Sequence, residues 1–427
     1  MIHAHTLAPS ERSTFQEAIQ RAVNRNPSSA TAAAGIVRAA GLVRQARAAT
    51  ALLVTANVTT TTVNRSVEFD GTVVAPRNQL TALMTADLPI VAAAARARRT
   101  QAEDTVTVAE LNAVEVRRQI AFSTADAFLA VIAQRRVVEA NVRARDVAKA
   151  HFDLANELEQ RGSGSHVNTL RAQQQWSNDE RLVEAARLAL YRAQEALGVL
   201  IVADGPVDAA DEPAFEIPPD AATVTSVITG AGPARAADEP GRQPALSLLQ
   251  SRSDLKLFAA AQAAAERVAR DTSREYLPSL DALFVPQTTY PSPFFVPAHS
   301  WRLMFQANVP IIDSGQRASL KVQRQAALDE ARATLAGAVT RASSEVRAAR
   351  EAVASGERGL GNARAAAEQA LQVVSIINIS FRAGAATSIE VIDADRSARD
   401  AETAVAVAED TLRRARLELL TALGRLP

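Results

Sequence analysis

Cysteine is absent from this chain of 427 residues, and aromatic residues make up only 4% of it. Without cysteine, the chain can form no disulfide, no thiolate nucleophile and no zinc site with cysteine ligands. The 47 basic and 47 acidic residues cancel, so the chain lacks the basic excess that binding to nucleic-acid phosphates requires. We therefore expect no nucleic-acid partner.

Long apolar runs are missing as well. No run reaches the roughly 20 residues that a transmembrane helix needs, so the sequence predicts no helical membrane span. The opening residues, MIHAHTLAPSERSTF, do not show the basic segment and apolar core of a signal peptide. If the protein is exported, we expect this chain to be the mature form.

Motifs that carry enzymatic chemistry are also lacking. There is no phosphate-binding loop, no dinucleotide fingerprint and no nucleophile elbow. The histidines are scattered without the spacing of zinc ligands; they are His3, His5, His151, His166 and His299. We predict that the protein is not an enzyme and uses no cofactor or metal.

Alanine is heavily overused, and with arginine, glutamate and glutamine interspersed it favours long helices, because these residues lose little side-chain freedom in a helix. Apolar residues recur at alternating spacings of three and four, as in a coiled coil. In one segment they are Leu328, Ala331, Leu335, Val339, Ala342 and Val346. The pattern predicts two helices of on the order of 100 Å, at 92–160 and 316–381. Shorter helices are expected at 14–49, 167–200, 243–275 and 388–424, and glycines at 356, 359 and 361 predict a bend or local unwinding.

The chain reads as two copies of a unit of about 220 residues. TADLPIV (85–91) reappears as QANVPII (306–312), which places Pro89 and Pro310 at an offset of 221. RGSGSHVNTLRAQ (161–173) matches RAGAATSIEVIDAD (382–395) at an offset of 222. We therefore predict a first structural repeat at 1–201, a linker or equatorial insertion at 202–242 and a second repeat at 243–427.

The strand before each long helix alternates between apolar and polar residues, which gives it one apolar face. Its apolar members include Leu80, Ala82 and Met84 in the first copy and Trp301, Leu303 and Phe305 in the second. Such strands fit either a half-buried sheet in a soluble protein or a transmembrane β-barrel with lipid outside and water inside. Four strands, near 52–62, 79–90, 279–286 and 300–311, cannot close a barrel, so the membrane interpretation requires oligomerisation; three protomers would supply twelve.

Several segments resemble the TolC-like outer-membrane efflux protein family. They are FQEAIQRAVNRNP (15–27), DLPIV (87–91), NVPIIDSG (308–315), ELEQRGSGSHVNTLRAQ (157–173) and FRAGAATSIEVIDADRS (381–397). The resemblance covers residues 14–426 and implies a mainly α fold with a small β part. It also implies a homotrimer in which a long coiled-coil-like α-helical barrel continues into a twelve-stranded transmembrane β-barrel, four strands per protomer. The β-barrel would lie in outer-membrane lipid of a Gram-negative-type cell, and the helices would extend into the periplasm.

The same resemblance suggests roles for residues at the two turns between helices. Glu390 and Asp393 occupy positions where many family members place carboxylates facing a closed iris, and the first turn has Asn168 and Arg171 there. A different role for the acids is to begin a helix, since Thr387 precedes them as a candidate cap. Contact with a periplasmic adaptor is expected at both turns; the candidates are Arg161, Gly162, Gly164, Arg382, Gly384 and Thr387.

The function implied by the resemblance is passive conduction. The chain would be the outer-membrane exit duct of a tripartite efflux or type I secretion system, working with an adaptor and, through it, an inner-membrane pump. The sequence does not distinguish among drugs, metal ions and proteins as the exported substrate. The alternative is a soluble coiled-coil scaffold or a periplasmic adaptor, in which the helices themselves would be the functional part.

Overall fold

The computed structural model describes residues 11–217, 251–309 and 311–425. Pro310, His3, His5 and most of the predicted 202–242 insertion lie outside the described residues. The chain divides into two compact units. Unit 1 comprises Met1–Thr31, Ala113–Lys256 and Gly337–Pro427, and unit 2 comprises Ala32–Asn112 and Leu257–Ala336.

The fold is mainly helical, as the sequence predicts. The long helices are α3 (Ala93–Gln160) and α6 (Gln316–Arg382), each within one residue of its predicted limits. The shorter helices are α1 (Phe15–Arg25), α2 (Pro27–Ala48), α4 (His166–Ile201), α5 (Ser253–Asp271) and α7 (Ser388–Ala422). Hydropathy and charge exclude a bilayer-spanning role for every helix in the described part of the chain.

Three details of the helix prediction are wrong. The helix expected at 243–275 is interrupted in its described part, because Arg252 is not helical; α5 covers only Ser253–Asp271, and a 3₁₀ helix follows at Thr272–Tyr276.

The single helix expected at 14–49 is two, because Asn26 adopts an extended conformation (ψ 131°) before Pro27, whose ring disfavours a helical residue ahead of it. The local unwinding expected in the second long helix is absent, since α6 is continuous through all three glycines. A Cβ on Gly356 would lie 3.3 Å from Leu412 Cδ1, so this glycine permits close packing of α7 and not a break.

Unit 2 contains a four-stranded antiparallel sheet. Its order is β2 (Leu53–Thr62), β5 (Asn78–Val91), β7 (Ser279–Tyr290) and β8 (His299–Asn308). A short hairpin of β3 (Val67–Phe69) and β4 (Thr72–Ala75), which the sequence analysis did not predict, lies in the connection between β2 and β5. The two outer strands, β2 and β8, each have one edge without a partner strand among the described residues.

Unit 1 has two hydrophobic cores. In the first, Phe15 of α1 packs edge-on against Phe128 of α3 and against Phe215, with ring centroids 5.5 Å apart in each pair. Beside it, β1 (Glu11–Ser13) pairs in parallel with β6 (Val207–Ala209), another pair that the sequence analysis missed. The second core surrounds Leu255 of α5, which is fully buried against α6 and α7.

Candidate functional site

The register of the sheet gathers the predicted lipid-facing residues on one face. Residues directly opposite each other on neighbouring strands share a face, and Phe284 of β7 lies between Ala86 of β5 and Leu303 of β8. The same face carries Val54 and Val58 of β2. It therefore includes all six predicted residues, from both halves of the sequence; they are Leu80, Ala82, Met84, Trp301, Leu303 and Phe305.

In the two inner strands, β5 and β7, this apolar face is the more exposed one, whereas the outer strands β2 and β8 are exposed on both faces. Trp301, Leu303 and Phe305 are 69%, 54% and 66% exposed, and the rings of Phe284 and Trp301 are 6.0 Å apart. In the central strand β5, the apolar-face residues from Leu80 to Met84 are exposed, whereas Thr81 and Leu83 between them are half-buried. A soluble sheet shows the reverse pattern, with its apolar face against a core.

The opposite face is more polar and better shielded. In β5 it carries Gln79, Thr81, Thr85 and Asp87, all half-buried, and in β7 it includes buried Thr289. A half-buried face of hydroxyls, amides and a carboxylate suits contact with water in a confined space. The sheet thus has the inside-out amphipathicity that the sequence pattern predicted as one of two alternatives.

The first helical turn connects α3 and α4 in unit 1. Gly162 has a φ of +74°, and Leu158 O accepts hydrogen bonds from the amides of Ser163 and Gly164 at 3.0 and 2.9 Å. A Cβ on Gly164 would lie 2.8 Å from Glu159 N, so only glycine fits there without backbone movement. Both predicted turn glycines are therefore required, one for its conformation and one for the close approach.

Side chains at this first turn are mostly exposed. Arg161 makes an exposed ion pair with Glu157 at 3.4 Å. His166 Nδ1 lies 2.8 Å from Glu159 Oε1, and hydrogen bonds from Thr169 and His166 lower the pKa of Glu159. Asn168 and Arg171, the candidates for the iris, are half-buried and exposed respectively. Arg171 has no ion-pair partner among the described residues.

The second turn connects α6 and α7 and contains a complete capping box. Gly384 has a φ of +76°, and the amide of Ala385 donates to Ser380 O at 2.8 Å. Thr387 is the N-cap of α7: its Oγ1 accepts from the amide of Glu390 at 3.4 Å, and its own amide donates to Glu390 Oε2 at 2.6 Å. The bond from the Thr387 amide, and then a second one from Thr387 Oγ1 to Glu390 Oε2 at 2.9 Å, lower the pKa of Glu390.

The structure thus gives Glu390 a helix-capping contact, whereas Asp393 is exposed and makes no hydrogen bond or ion pair with another described residue. Arg382 is exposed and unpaired within the same part of the chain. Both acids lie within the first two turns of α7, where carboxylates favourably meet the helix dipole. Of the predicted turn residues, only Thr387 and Glu390 contact each other through their side chains.

Sequence reasoning missed a buried polar cluster between α4 and α7. Arg399 Nη1 donates to Asp179 Oδ1 at 2.7 Å, and Arg396 Nε donates to Gln175 Oε1 at 2.7 Å. Gln175 Nε2 in turn donates to Asp179 Oδ2 at 2.9 Å, and Asp179 is only 3% exposed. Burial, and then the neighbouring Asp179, raise the pKa of Asp395 to about 6.

A buried histidine lies between the two long helices in the same unit. His151 of α3 is 8% exposed, and neither ring nitrogen has a hydrogen-bond partner among the described residues. Its ring centroid lies 5.2 Å from that of Phe381 of α6. Burial lowers the pKa of His151, because the charged imidazolium would lose its hydration.

Comparison with known proteins agrees with the fold and the predicted family resemblance. Residues 246–425 match the model of the outer membrane efflux protein family. A search of curated protein sequences finds no match. The fold resembles the outer membrane protein VceC of Vibrio cholerae, with 18% identity, a TM-score of 0.77 and 96% of each chain covered.

Two further solved structures are similar to this chain at comparable identity. One is a membrane protein from Pseudomonas aeruginosa, with 17% identity and a TM-score of 0.81, covering 96% of this chain and 90% of that one. The other is the open state of the Neisseria gonorrhoeae MtrE outer membrane channel, with 16% identity, a TM-score of 0.76 and the same coverage. These likenesses show the fold, and the family match over residues 246–425 agrees with the resemblance that the sequence motifs predicted.

Proposed function

We propose that this chain, whose residues 246–425 match the outer membrane efflux protein family, is one protomer of an outer-membrane efflux channel. The observation that carries the proposal is the inverted sheet: in its two inner strands, β5 and β7, the more exposed face is apolar and the shielded face is more polar. In a membrane, lipid would contact the apolar face, and a water-filled lumen would contact the polar face. A soluble scaffold or adaptor would leave the aromatic and aliphatic face of Trp301, Leu303 and Phe305 in water.

The functional unit is a homotrimer. A bilayer provides no hydrogen bonds for an open sheet edge, so β2 and β8 need partners. Pairing of β2 from one copy with β8 of the next closes three copies into a barrel of twelve strands, an even number that leaves an aqueous bore. In this proposal the β-barrel lies in the outer membrane, and α3, α4, α6 and α7 form a helical barrel in the periplasm.

The two halves of the chain act as structural repeats, at 1–201 and 243–427, separated by an equatorial insertion at 202–242. Support comes from the lengths of corresponding helices in the two halves. The long helices α3 and α6 have 68 and 67 residues, and the helices that follow them, α4 and α7, have 36 and 35. Similar element lengths in the same order are expected of two copies of one unit.

The channel is passive, and its energy comes from partners. Its helical turns face a periplasmic adaptor, which connects the duct to an inner-membrane pump. Arg161 and Arg382 are the proposed adaptor contacts, on turns shaped by Gly162, Gly164, Gly384 and Thr387. Near these turns Glu390 and Asp393 form anionic rings around the pore in three copies, with Asn168 and Arg171 at the matching positions of the first turn.

One pair of adjacent residues tests the membrane orientation of the sheet. Leu303 lies on the apolar face of β8, and Met304 lies on the opposite face of the same strand. We expect Leu303→Arg to weaken insertion by about 2–4 kcal/mol if it lies near the bilayer midplane, and Met304→Arg to be tolerated because its side chain enters the lumen. The measurement is refolding of each variant into lipid vesicles, with recovery of trimer and conductance in planar bilayers. Equal yields for the two variants, or a wild-type chain that is folded and monodisperse without detergent or lipid, would reject the proposal.

A further inference from the structure

The contact between α4 and α7 contains more acidic groups than its one buried cation can neutralise. Asp179, on α4, is buried and accepts from Arg399 at 2.7 Å. Asp395, on α7, is half-buried and lies one turn before Arg399, on the side of the helix that Arg399 turns toward Asp179. Among the described residues no hydrogen bond reaches the Asp395 carboxylate. Its ionised form therefore lacks the pairing that a carboxylate away from water requires.

Among the described residues, no second cation forms an ion pair with Asp179 or Asp395. Arg399 is already divided between Asp179 and Asp400, at 2.7 and 2.8 Å. Arg396 is exposed and directs its Nε to the amide oxygen of Gln175. The segment of α6 that precedes the turn, residues 369–381, contains no charged residue. From α3, the titratable group in contact with the end of α6 is His151, which packs on Phe381.

We propose that this cluster is a proton-operated clasp between the two helical hairpins, with Asp395 as the group that takes up the proton. When Asp395 is neutral, the buried pair of Asp179 and Arg399 is balanced and α4 stays packed on α7. When Asp395 is ionised, two carboxylates compete for one arginine and the contact loosens. The inference concerns unit 1 alone and does not rest on the proposed channel function.

The direction of the pH effect follows from linkage. The pKa of Asp395 is raised from 3.8 to about 6 in the folded protein, so folded Asp395 binds a proton that the unfolded chain has lost between these values. The clasp is therefore tighter below pH 6 and weaker above it. This is opposite to an ordinary salt-bridged aspartate, which stabilises a contact when it is ionised.

Spin labels test the clasp directly, because a chain without cysteine can be labelled only where cysteines are introduced. Gln174→Cys on α4 and Ser397→Cys on α7 are exposed neighbours of the cluster. Electron spin resonance on the full chain in detergent would give the distance distribution between the labels from pH 5 to pH 8. We expect one short, narrow population at pH 5, which falls roughly threefold by pH 8 with a midpoint near pH 6.

Matched variants assign the effect to one carboxylate. Asp395→Asn should keep the short distance at every pH, whereas Asp400→Asn, which alters an exposed carboxylate on the same arginine, should keep the wild-type pH response. If Asp395→Asn does not fold, Asp395→Ser provides the same uncharged test in a smaller side chain. A wild-type distribution that does not change with pH, or an unaltered pH response in the uncharged variants, would overturn the clasp. Neither result depends on conductance, so failure of the channel proposal would be seen separately.

Discussion

The carboxylate of Glu390 closes a reciprocal pair of hydrogen bonds with Thr387 at the start of α7. The Thr387 amide donates to Glu390 Oε2 at 2.6 Å, and the Glu390 amide donates to Thr387 Oγ1 at 3.4 Å. This capping box satisfies two amides that the helix leaves without partners. The same carboxylate is proposed to contribute charge to a ring around the pore, so its two roles need to be separated.

Glutamine separates them, since its amide oxygen can cap a helix but carries no charge. We expect Glu390→Gln to leave the thermal midpoint within about 1 °C of wild type and to lower the preference for cations over anions roughly twofold. Thr387→Ala should do the opposite, with a loss of about 1 kcal/mol in stability and unchanged selectivity. The measurements are thermal unfolding and reversal potentials in planar bilayers under a salt gradient.

Asp393 provides the companion test of the ring. It makes no hydrogen bond or ion pair within the described residues, so Asp393→Asn should change ion selectivity without a stability cost. If selectivity is unchanged in both Glu390→Gln and Asp393→Asn, these acids serve the helix and not the pore.

The three turn glycines should differ in their tolerance of alanine. Gly162 and Gly384 have positive φ and open space around the missing Cβ, so alanine should cost about 1–2 kcal/mol at each. A Cβ on Gly164 would instead lie within 3 Å of backbone atoms of Leu158 and Glu159, so Gly164→Ala should cost about 3 kcal/mol because backbone atoms must move. Thermal unfolding of the three variants checks this order. Equal losses of stability in the three variants would mean that the backbone of the first turn accommodates a Cβ at position 164 without strain.

Local periodicity explains which parts of the fold were predictable. The 3-4 spacing defined α3 and α6 to within a residue, and period-two alternation identified the faces of β5 and β8, because each signal lies within one element. Pairings between distant segments have no such local pattern. The parallel pair of β1 and β6 joins three-residue strands almost 200 residues apart, and nothing in either strand's sequence specifies the other.

The candidate functional site likewise has parts that a local sequence pattern predicts and parts that depend on packing between distant segments. The turns and the apolar sheet residues came from motifs and alternation, whereas the cluster of Asp179 and Arg399 depends on how two hairpins pack. No local pattern in the sequence identifies this contact, because Gln175 and Asp179 lie 221 and 220 residues from Arg396 and Arg399. His151 was dismissed as scattered because its burial depends on α6, which begins 165 residues later in the chain.

Acidification should weaken the packing of α3 on α6 through His151. Burial lowers the pKa of His151 below its usual 6.5, so the folded state resists a proton that the unfolded state accepts. Stability linked to His151 is therefore fully present above pH 6.5 and is lost as the pH falls below it. We expect His151→Leu to remove this loss and to add about 1 kcal/mol at pH 7.5, because an imidazole without partners is replaced by a side chain that needs none.

Thermal unfolding of wild type and His151→Leu between pH 5 and pH 8 measures this difference. Taking the difference at each pH cancels the opposite contribution of Asp395, which both proteins share. His166→Gln is the control, since His166 is exposed at the first turn. If the difference in stability between wild type and His151→Leu is the same at every pH from 5 to 8, His151 does not titrate in this range.

Arg252 fastens the start of α5 to two other helices, and its loss should destabilise unit 1. The side chain is buried and forms a bidentate pair with Asp254, at 3.0 and 2.7 Å, while its Nη1 donates to Glu345 Oε2 at 2.8 Å and to Ala422 O at 3.3 Å. Burial opposes ionisation of Asp254, but the bonds from Arg252 outweigh it and lower the pKa of Asp254. Arg252→Ala leaves this carboxylate without its cation. We expect a loss of about 3 kcal/mol, reduced from the cost of a fully buried pair because Glu345 is partly exposed.

Arg252→Lys discriminates charge from geometry at the same position. Lysine keeps the positive charge but cannot bond Asp254 through two nitrogens while reaching Glu345, so it should recover less than half of the loss. The contribution of Asp254 is present above its unfolded pKa of 3.8 and disappears as the pH falls through its lowered folded value. Wild type should therefore lose its advantage over Arg252→Ala only in strong acid, which chemical denaturation at pH 7 and pH 3 would measure. Full recovery by lysine would show that charge alone holds α5 in place.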